Sequence, residues 1–205
     1  FLLLPEHENL RAYLDELGVR YEIVHNRSVA EILGTITSIG SFMGCERTAD
    51  SLVADITARI DVIRSQRCEK RRESVPVVLV SVERSTGGGI IQDVYAAGAG
   101  TIYDELVTIA GGKNVCGAIN VTYPNLSAEG IITLDPQIII DLIPRTGDVP
   151  VDGAIVTADW QSLSLVTAVR NGQVYIVDDD YAFVPGPRFI LFLEDMAAMI
   201  GRTGG

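Results

Sequence analysis

The sequence predicts an α/β fold built on mostly parallel sheets, and three patterns carry that expectation. Short apolar runs bounded by turn residues alternate with amphipathic segments at helical spacing along nearly the whole chain. One stretch, Thr48 to Arg67, keeps apolar positions at steps of three and four with charges between them, as a single long helix would. That helix separates a short α/β segment from a longer one. Strands alternating with helices lie parallel in a sheet covered on both faces, and sites in such sheets sit beyond the carboxyl ends of the strands.

Taken in order, "FLLLP" reads as the second half of a buried strand stopped by Pro5. A chain seldom opens inside a strand, so sequence upstream of Phe1 is expected to be missing. "ENLRAYLDELG" then sets Leu10, Tyr13, Leu14 and Leu17 at helical spacing and stops at Gly18, which can take the left-handed conformation that ends a helix. "VRYEIVH" alternates as a strand. Ser28 and Glu31 form a capping box that opens a second helix through Val29, Ile32, Leu33, Ile36 and Ile39 to Gly44. The long helix follows, with Ala49, Leu52, Val53, Ile56, Ile60 and Ile63 on its apolar stripe; twenty residues of helix reach about 30 Å, enough to connect two units.

Beyond Pro76 the expected elements are strand 77–81, helix 101–110, a short strand near Val115, helix 127–134 and strand 137–143. Helix 159–169, strand 173–177 and helix 187–200 complete the series. The organisation is therefore 1–46, a connecting helix at 47–73, and a second α/β unit at 74–205.

Composition excludes several functions. With 47% hydrophobic and 21% charged residues, the 205-residue chain is globular and long enough for one sizeable core or two small ones. A formal charge of −11 argues against a nucleic-acid groove, and the one dense basic run, "RCEKRR" at Arg67 to Arg72, suits a solvated last turn of the long helix. Cys45, Cys68 and Cys116 match neither a C-x-x-C metal site nor a closed disulfide framework. No run of 18 apolar residues predicts a membrane span, and no signal-peptide pattern is present.

Metal and catalytic constellations are equally sparse. His7 and His25 are the only histidines, too few for a zinc or manganese carrier, and His25 at the end of an apolar strand reads as structural. In "VDDDY", Val177 to Tyr181, adjacent carboxylates cannot all point at one ion from an extended loop; a solvated turn with Asp178 accepting from backbone amides is expected. No G-x-S-x-G, Cys–His neighbour or paired carboxylate nominates a catalytic residue.

The stretch "AGAGTIYDELVTIAGG", Ala97 to Gly112, raises the question of phosphate binding. A phosphate loop needs free N–H groups at a helix N-terminus and commonly a Lys. Here Asp104 and Glu105 occupy the first turn, and Thr101 with Asp104 has the spacing of a cap that uses the same N–H groups internally. The glycines are instead expected to let the chain turn closely at the edge of a cleft.

Four segments in order, "AGAGTIYDELVTIAGGKNV", "YPNLSAEGIITLDPQIII", "ADWQSLSLVTAVRNGQVYIV" and "VPGPRFI", resemble the helical-backbone substrate-binding proteins of ABC importers. That family carries ferric siderophores, haem and cobalamin. The resemblance covers nearly all of residues 1–203 and implies two Rossmann-like lobes joined by one long rigid helix, the N-terminal lobe here being incomplete. It also implies an extracytoplasmic protein, membrane-anchored by a segment absent from this chain, with ABC permease subunits and a metal chelate as partners and no resident cofactor.

The same resemblance implies roles for particular residues. Glu129 in "LSAEGI" and Glu8 in "PEHENLRAYL" match the glutamates that dock each lobe onto permease arginines, although a carboxylate in a first helical turn is also favoured by the dipole alone. Cleft positions are Glu6, His7, Arg84, Ser85, Tyr95, Trp160, Tyr181 and Arg188. Tyr95, Trp160 and Arg188 suit a large flat ligand bearing carboxylates; structural roles for the same three, as loop filler, core cap and helix-terminal residue, stay open. Two other readings stand beside import: a sensor or interaction module on the same scaffold, and a metal-complex-processing enzyme on a nitrogenase-like α/β scaffold.

Overall fold

A computed structural model describes residues 2–69, 75–145 and 152–202. Its first strands, β1 (Leu2–Leu3) and β2 (Glu22–Ile23), pair in parallel. Between them lie a tight 3-10 turn at Pro5–Leu10, broken at His7, and helix α1 (Arg11–Glu16). The expected helix is thus shorter than its spacing implied: Leu14 is buried, whereas Leu10, Tyr13 and Leu17 are exposed. Gly18 ends it at φ 65°.

Helix α2 (Val29–Met43) begins and ends where its caps dictate. The Ser28 hydroxyl accepts the Glu31 N–H, and Gly44 closes the helix in the left-handed region at φ 69°. Glu31 returns a bond to the Arg27 N–H, one residue earlier than a standard capping box. A further orphan N–H, that of Val29, is taken at 2.8 Å by the carboxylate of Glu105, 76 residues away. Glu105→Ala leaves that donor unpaired and is expected to cost about 1 kcal/mol, as loss of a cap does, read as a lowered thermal midpoint.

Helix α3 (Glu46–Glu69) covers the long amphipathic stretch. Ala49, Ile56, Ile60 and Ile63 are buried, while Leu52 is exposed. Near its start α3 presses on α2 so closely that a Cβ at Gly40 would stand 2.4 Å from Ala49 Cβ. Arg59 forks onto Glu194 at 2.8 and 2.6 Å, tying α3 to the last helix. Arg67 donates to the Thr108 carbonyl, so this member of the basic run is docked rather than free. The side chains of Cys68 and Glu69, and residues 70–74 with Lys70, Arg71 and Arg72, lie outside the described residues.

The remaining chain builds a mixed sheet of β3 (Val77–Arg84), β4 (Asp93–Ala96), β5 (Lys113–Asn114), β6 (Asn125–Ser127), β7 (Ile138–Leu142) and β8 (Val174–Val177). Strand order is β6-β4-β3-β7-β8, with β5 beside the start of β3. β3, β5, β7 and β8 run parallel; β4 is antiparallel to both β3 and β6. β7 is buried throughout, which is why it reads as a continuous apolar run.

Helices α4 (Ile102–Ala110) and α8 (Phe189–Gly201) join α2 and α3 over one face, on Val78, Val80, Ile138 and Ile140. The other face, with Leu79, Ile139, Val94 and Ala96, packs against the segment holding α5 (Ala128–Leu134), α6 (Gly153–Gln161) and α7 (Thr167–Arg170). Thus the alternating pattern resolves as an α/β fold with the long helix α3 seated on the core of the larger sheet.

Three expectations are corrected. Helix 159–169 is two helices: α6 starts earlier because Asp152 caps it, accepting from Ala154 and Ile155, and the chain turns at Ser162 before α7. β3 extends three residues past 81, and β4 and β6 were not anticipated. His25 is anchored through its backbone, its N–H and carbonyl both bonded to the Thr35 hydroxyl, while the residue itself is exposed.

Candidate functional site

β3, β7 and β8 end at one crest of the sheet, and the loops that follow them shape it. A cleft of about 350 Å³ opens there, lined by Val82, Glu83, Arg84, Thr86, Leu142, Ile143 and Pro144. A smaller hollow of about 200 Å³ lies along the Ser85–Asp93 loop. In the first unit, His7 follows β1 and His25 follows β2, also at carboxyl strand ends. This is where the parallel topology leaves backbone termini and loops free to meet a ligand.

A β-bulge decides which side chains reach that crest. Ser81 pairs with Ala96, but Glu83 pairs with Tyr95, so Val82 is an extra residue on β3. Past the bulge the alternation is inverted: Arg84 turns inward to the face of Ser81, and Glu83 turns out. Arg84 is only 1% exposed at its side chain, and its guanidinium reaches Asp141 and Asp159, each at 2.8 Å. It also donates to the carbonyls of Ser85 and Val156 and lies over the Trp160 ring. Trp160, fully buried, gives its indole N–H to Asp141 at 2.8 Å. Arg84 therefore lines the cleft with its guanidinium turned into the interior, and Trp160 takes the core position that the sequence left open.

Asp159 moulds the loop above it. Its carboxylate accepts the N–H groups of Gly87 at 2.8 Å and Gly89 at 2.7 Å, residues at φ 80° and 72° that only glycine holds without strain. Burial pushes its pKa up, but the Arg84 bond and those two amides outweigh burial and hold it below the usual carboxylate range. Because the folded value is the lower one, this contribution to stability is complete above the unfolded value of about 3.9 and fades as pH falls through the folded value. Acid titration of unfolding is expected to show stability level above about pH 5 and declining only below pH 4.

The other candidates divide. Tyr95 is 43% exposed on β4 beside Glu83. Ser85, His7 and Arg188 are exposed, Arg188 immediately before α8 with no capping bond from its side chain. Tyr181 is half-buried; its hydroxyl donates to Asp195 at 2.7 Å and lies 3.1 Å from Asp179, pinning the turn to α8. Burial and those carboxylates push its pKa up. Glu129 is exposed in the first turn of α5, at the crest end of β6. The side chains of Glu6 and Glu8 lie outside the described residues.

Residues that sequence reading did not nominate complete the crest. Arg145 pairs with Asp178 at 2.8 Å and Asp179 at 3.6 Å, so the acidic turn after β8 is held by a cation from the loop after β7. Among the described residues no group of three or more His, Cys, Asp or Glu is placed to hold a metal ion. No described helix is long and apolar enough to cross a membrane.

The glycine stretch has its explanation as well. Thr101 accepts the Asp104 N–H, while Asp104 accepts from Asn114 at 2.9 Å and Glu105 is spent on Val29. The Thr101 hydroxyl thus takes one of the first-turn donors internally, and the two carboxylates of that turn repel a phosphate. Gly98 serves packing: a Cβ there would stand 2.0 Å from the Val121 carbonyl oxygen.

The molecule is an α/β fold whose parallel strands end at a common crest, with one long helix along the core. The family model described as "Periplasmic binding protein" matches residues 14–181, and the chain belongs to that family. It is 26% identical over 188 residues to the Bacillus subtilis protein named "Uncharacterized ABC transporter substrate-binding lipoprotein YvrC", covering 91% of this chain and 55% of that one. A Halobacterium salinarum "Cobalamin-binding protein" is 29% identical over 109 residues, 52% of this chain and 28% of its own. The chain thus spans about half or less of these relatives' length. A solved "possible" iron-binding (periplasmic solute-binding) protein of Staphylococcus epidermidis shares the fold at TM-score 0.77 and 23% identity, over 97% of this chain and 74% of that one.

Proposed function

We propose that this chain is the substrate-binding component of an ABC importer, taking a ferric siderophore, haem or cobalamin-type chelate at the crest and delivering it to the permease. The observation that carries the reading is the shared crest. The cleft beside Glu83 and Thr86 and the exposed Glu129 lie at the same strand ends, which supports a reading in which one face meets both ligand and partner. The cobalamin-binding and iron-binding relatives support the class of ligand. The family is one of binding proteins, and the mechanism needs no bond chemistry: capture between the two units, closure limited by α3, and release at the permease. An extracytoplasmic location follows from that role, and Glu8 is the matching carboxylate of the first unit.

Charge reversal tests the delivery step. Glu129→Arg sits on an exposed turn, so fold and ligand affinity are expected to hold while uptake by cells or permease-containing vesicles falls at least tenfold, a loss on the order of 1.4 kcal/mol. Uptake unchanged by this substitution removes Glu129 from docking.

A further inference from the structure

The bulge at Val82 leaves an exposed ledge around Tyr95. Beyond it, β3, β4 and β6 place Glu83, Tyr95 and Asn125 in one register row, with Asp93 opposite Ser127 in the next. All five residues are exposed, while Val94, Ala96 and Leu126 between them are buried on the opposite face. Tyr95 stands two residues before Ala97, on the face that lower down carries α2, α3, α4 and α8. No described helix covers the row. Among the described residues the side chains of Glu83, Asp93, Tyr95 and Asn125 make no hydrogen bond or ion pair.

Neighbouring strands lie about 4.8 Å apart, so the row is about 10 Å long, wide enough to underlie a flat ring system. Its chemistry is one-sided. Tyr95 offers an aromatic face, Glu83 and Asp93 can only accept, and Asn125 accepts or donates. Among the described residues, the two arginines at the ends of β3 and β7 are committed: Arg84 to Asp141 and Asp159, Arg145 to Asp178 and Asp179.

Resting on the substrate-binding reading, we propose that the Glu83–Tyr95–Asn125 ledge receives the ligand on the second unit. It selects a flat chelate whose rim is uncharged and rich in N–H donors. Tyr95 supplies contact area, and Glu83 and Asn125 take rim amides. A rim of carboxylates or catecholates meets two uncompensated acids and is disfavoured.

Equilibrium dialysis with three probes decides this: cyanocobalamin, whose corrin rim carries amides; hemin, whose rim carries two carboxylates; and ferric enterobactin, an anionic tricatecholate. The protein is expected to bind cyanocobalamin at least tenfold more tightly than either anion. Tyr95→Ala and Glu83→Lys are each expected to weaken cyanocobalamin at least tenfold, with Glu83→Lys narrowing the gap to hemin. Both positions are exposed, and an unchanged thermal midpoint separates lost contact from lost fold. Tight binding of an anionic probe that ignores both substitutions overturns the ledge and leaves the substrate-binding reading standing. Binding of none of the three overturns both.

Discussion

Replacing Arg84 by methionine is expected to lower stability by about 3 to 5 kcal/mol, the range seen when one partner of a buried ion pair is removed. The guanidinium is the single cation between two carboxylates that are themselves fully buried, and it holds both at 2.8 Å. Without it Asp141 keeps the Trp160 indole and Asp159 keeps two glycine amides, but two negative charges face each other away from water. In a chain of this size that loss corresponds to a fall of roughly 10 °C or more in the thermal midpoint. Changing Arg84, Asp141 and Asp159 together to apolar residues of similar volume is expected to recover much of it, because the charges then leave as a set. A single substitution without effect on unfolding contradicts the burial of this cluster.

Gly98→Val is the second large effect. A Cβ at this position meets a backbone carbonyl oxygen at 2.0 Å and the ring of Pro124 at 3.0 Å, and neither can rotate aside as a flexible side chain would. The Gly98 N–H is also bonded to the Thr122 carbonyl at 2.8 Å, so relief requires breaking the contact that holds the 121–124 loop against the sheet. Overpacking of this kind costs on the order of 3 kcal/mol. Gly100→Ala makes a useful comparison: it meets nothing within 4 Å but occupies φ 75°, so its cost comes from backbone strain alone and is expected to be smaller. Chemical denaturation of the two variants separates steric from conformational demand. Equal losses would mean that the close approach at Gly98 is not what the glycine is for.

What the sequence revealed follows how local each determinant is. α2 was bounded to the residue because Ser28, Glu31 and Gly44 act within a turn of the helix ends. α3 was legible from its repeated three-and-four spacing, and β7 from an unbroken apolar run. β4 and β6 were not, since four- and three-residue antiparallel strands owe their pairing to neighbours rather than to their own pattern. Two crest positions depend on features that are not local in sequence. Position after a strand identified Arg84 as a crest residue, but the direction of its side chain depends on the bulge at Val82, which exists only through pairing with β4. Trp160 lies near the end of α6 rather than at its start, because the Asp152 cap begins that helix earlier. Glu83, hidden by the same bulge, had no signal of its own.

The central claim is stoichiometric capture of an unchanged chelate. The direct measurement is size-exclusion chromatography of the protein with cyanocobalamin, hemin or a ferric siderophore, read by absorbance, with mass spectrometry of the recovered small molecule. Co-elution of one chelate at one per cleft, recovered with its mass unaltered, is the expected result. Conversion of the chelate by substoichiometric protein, or elution of every probe apart from the protein, would contradict it.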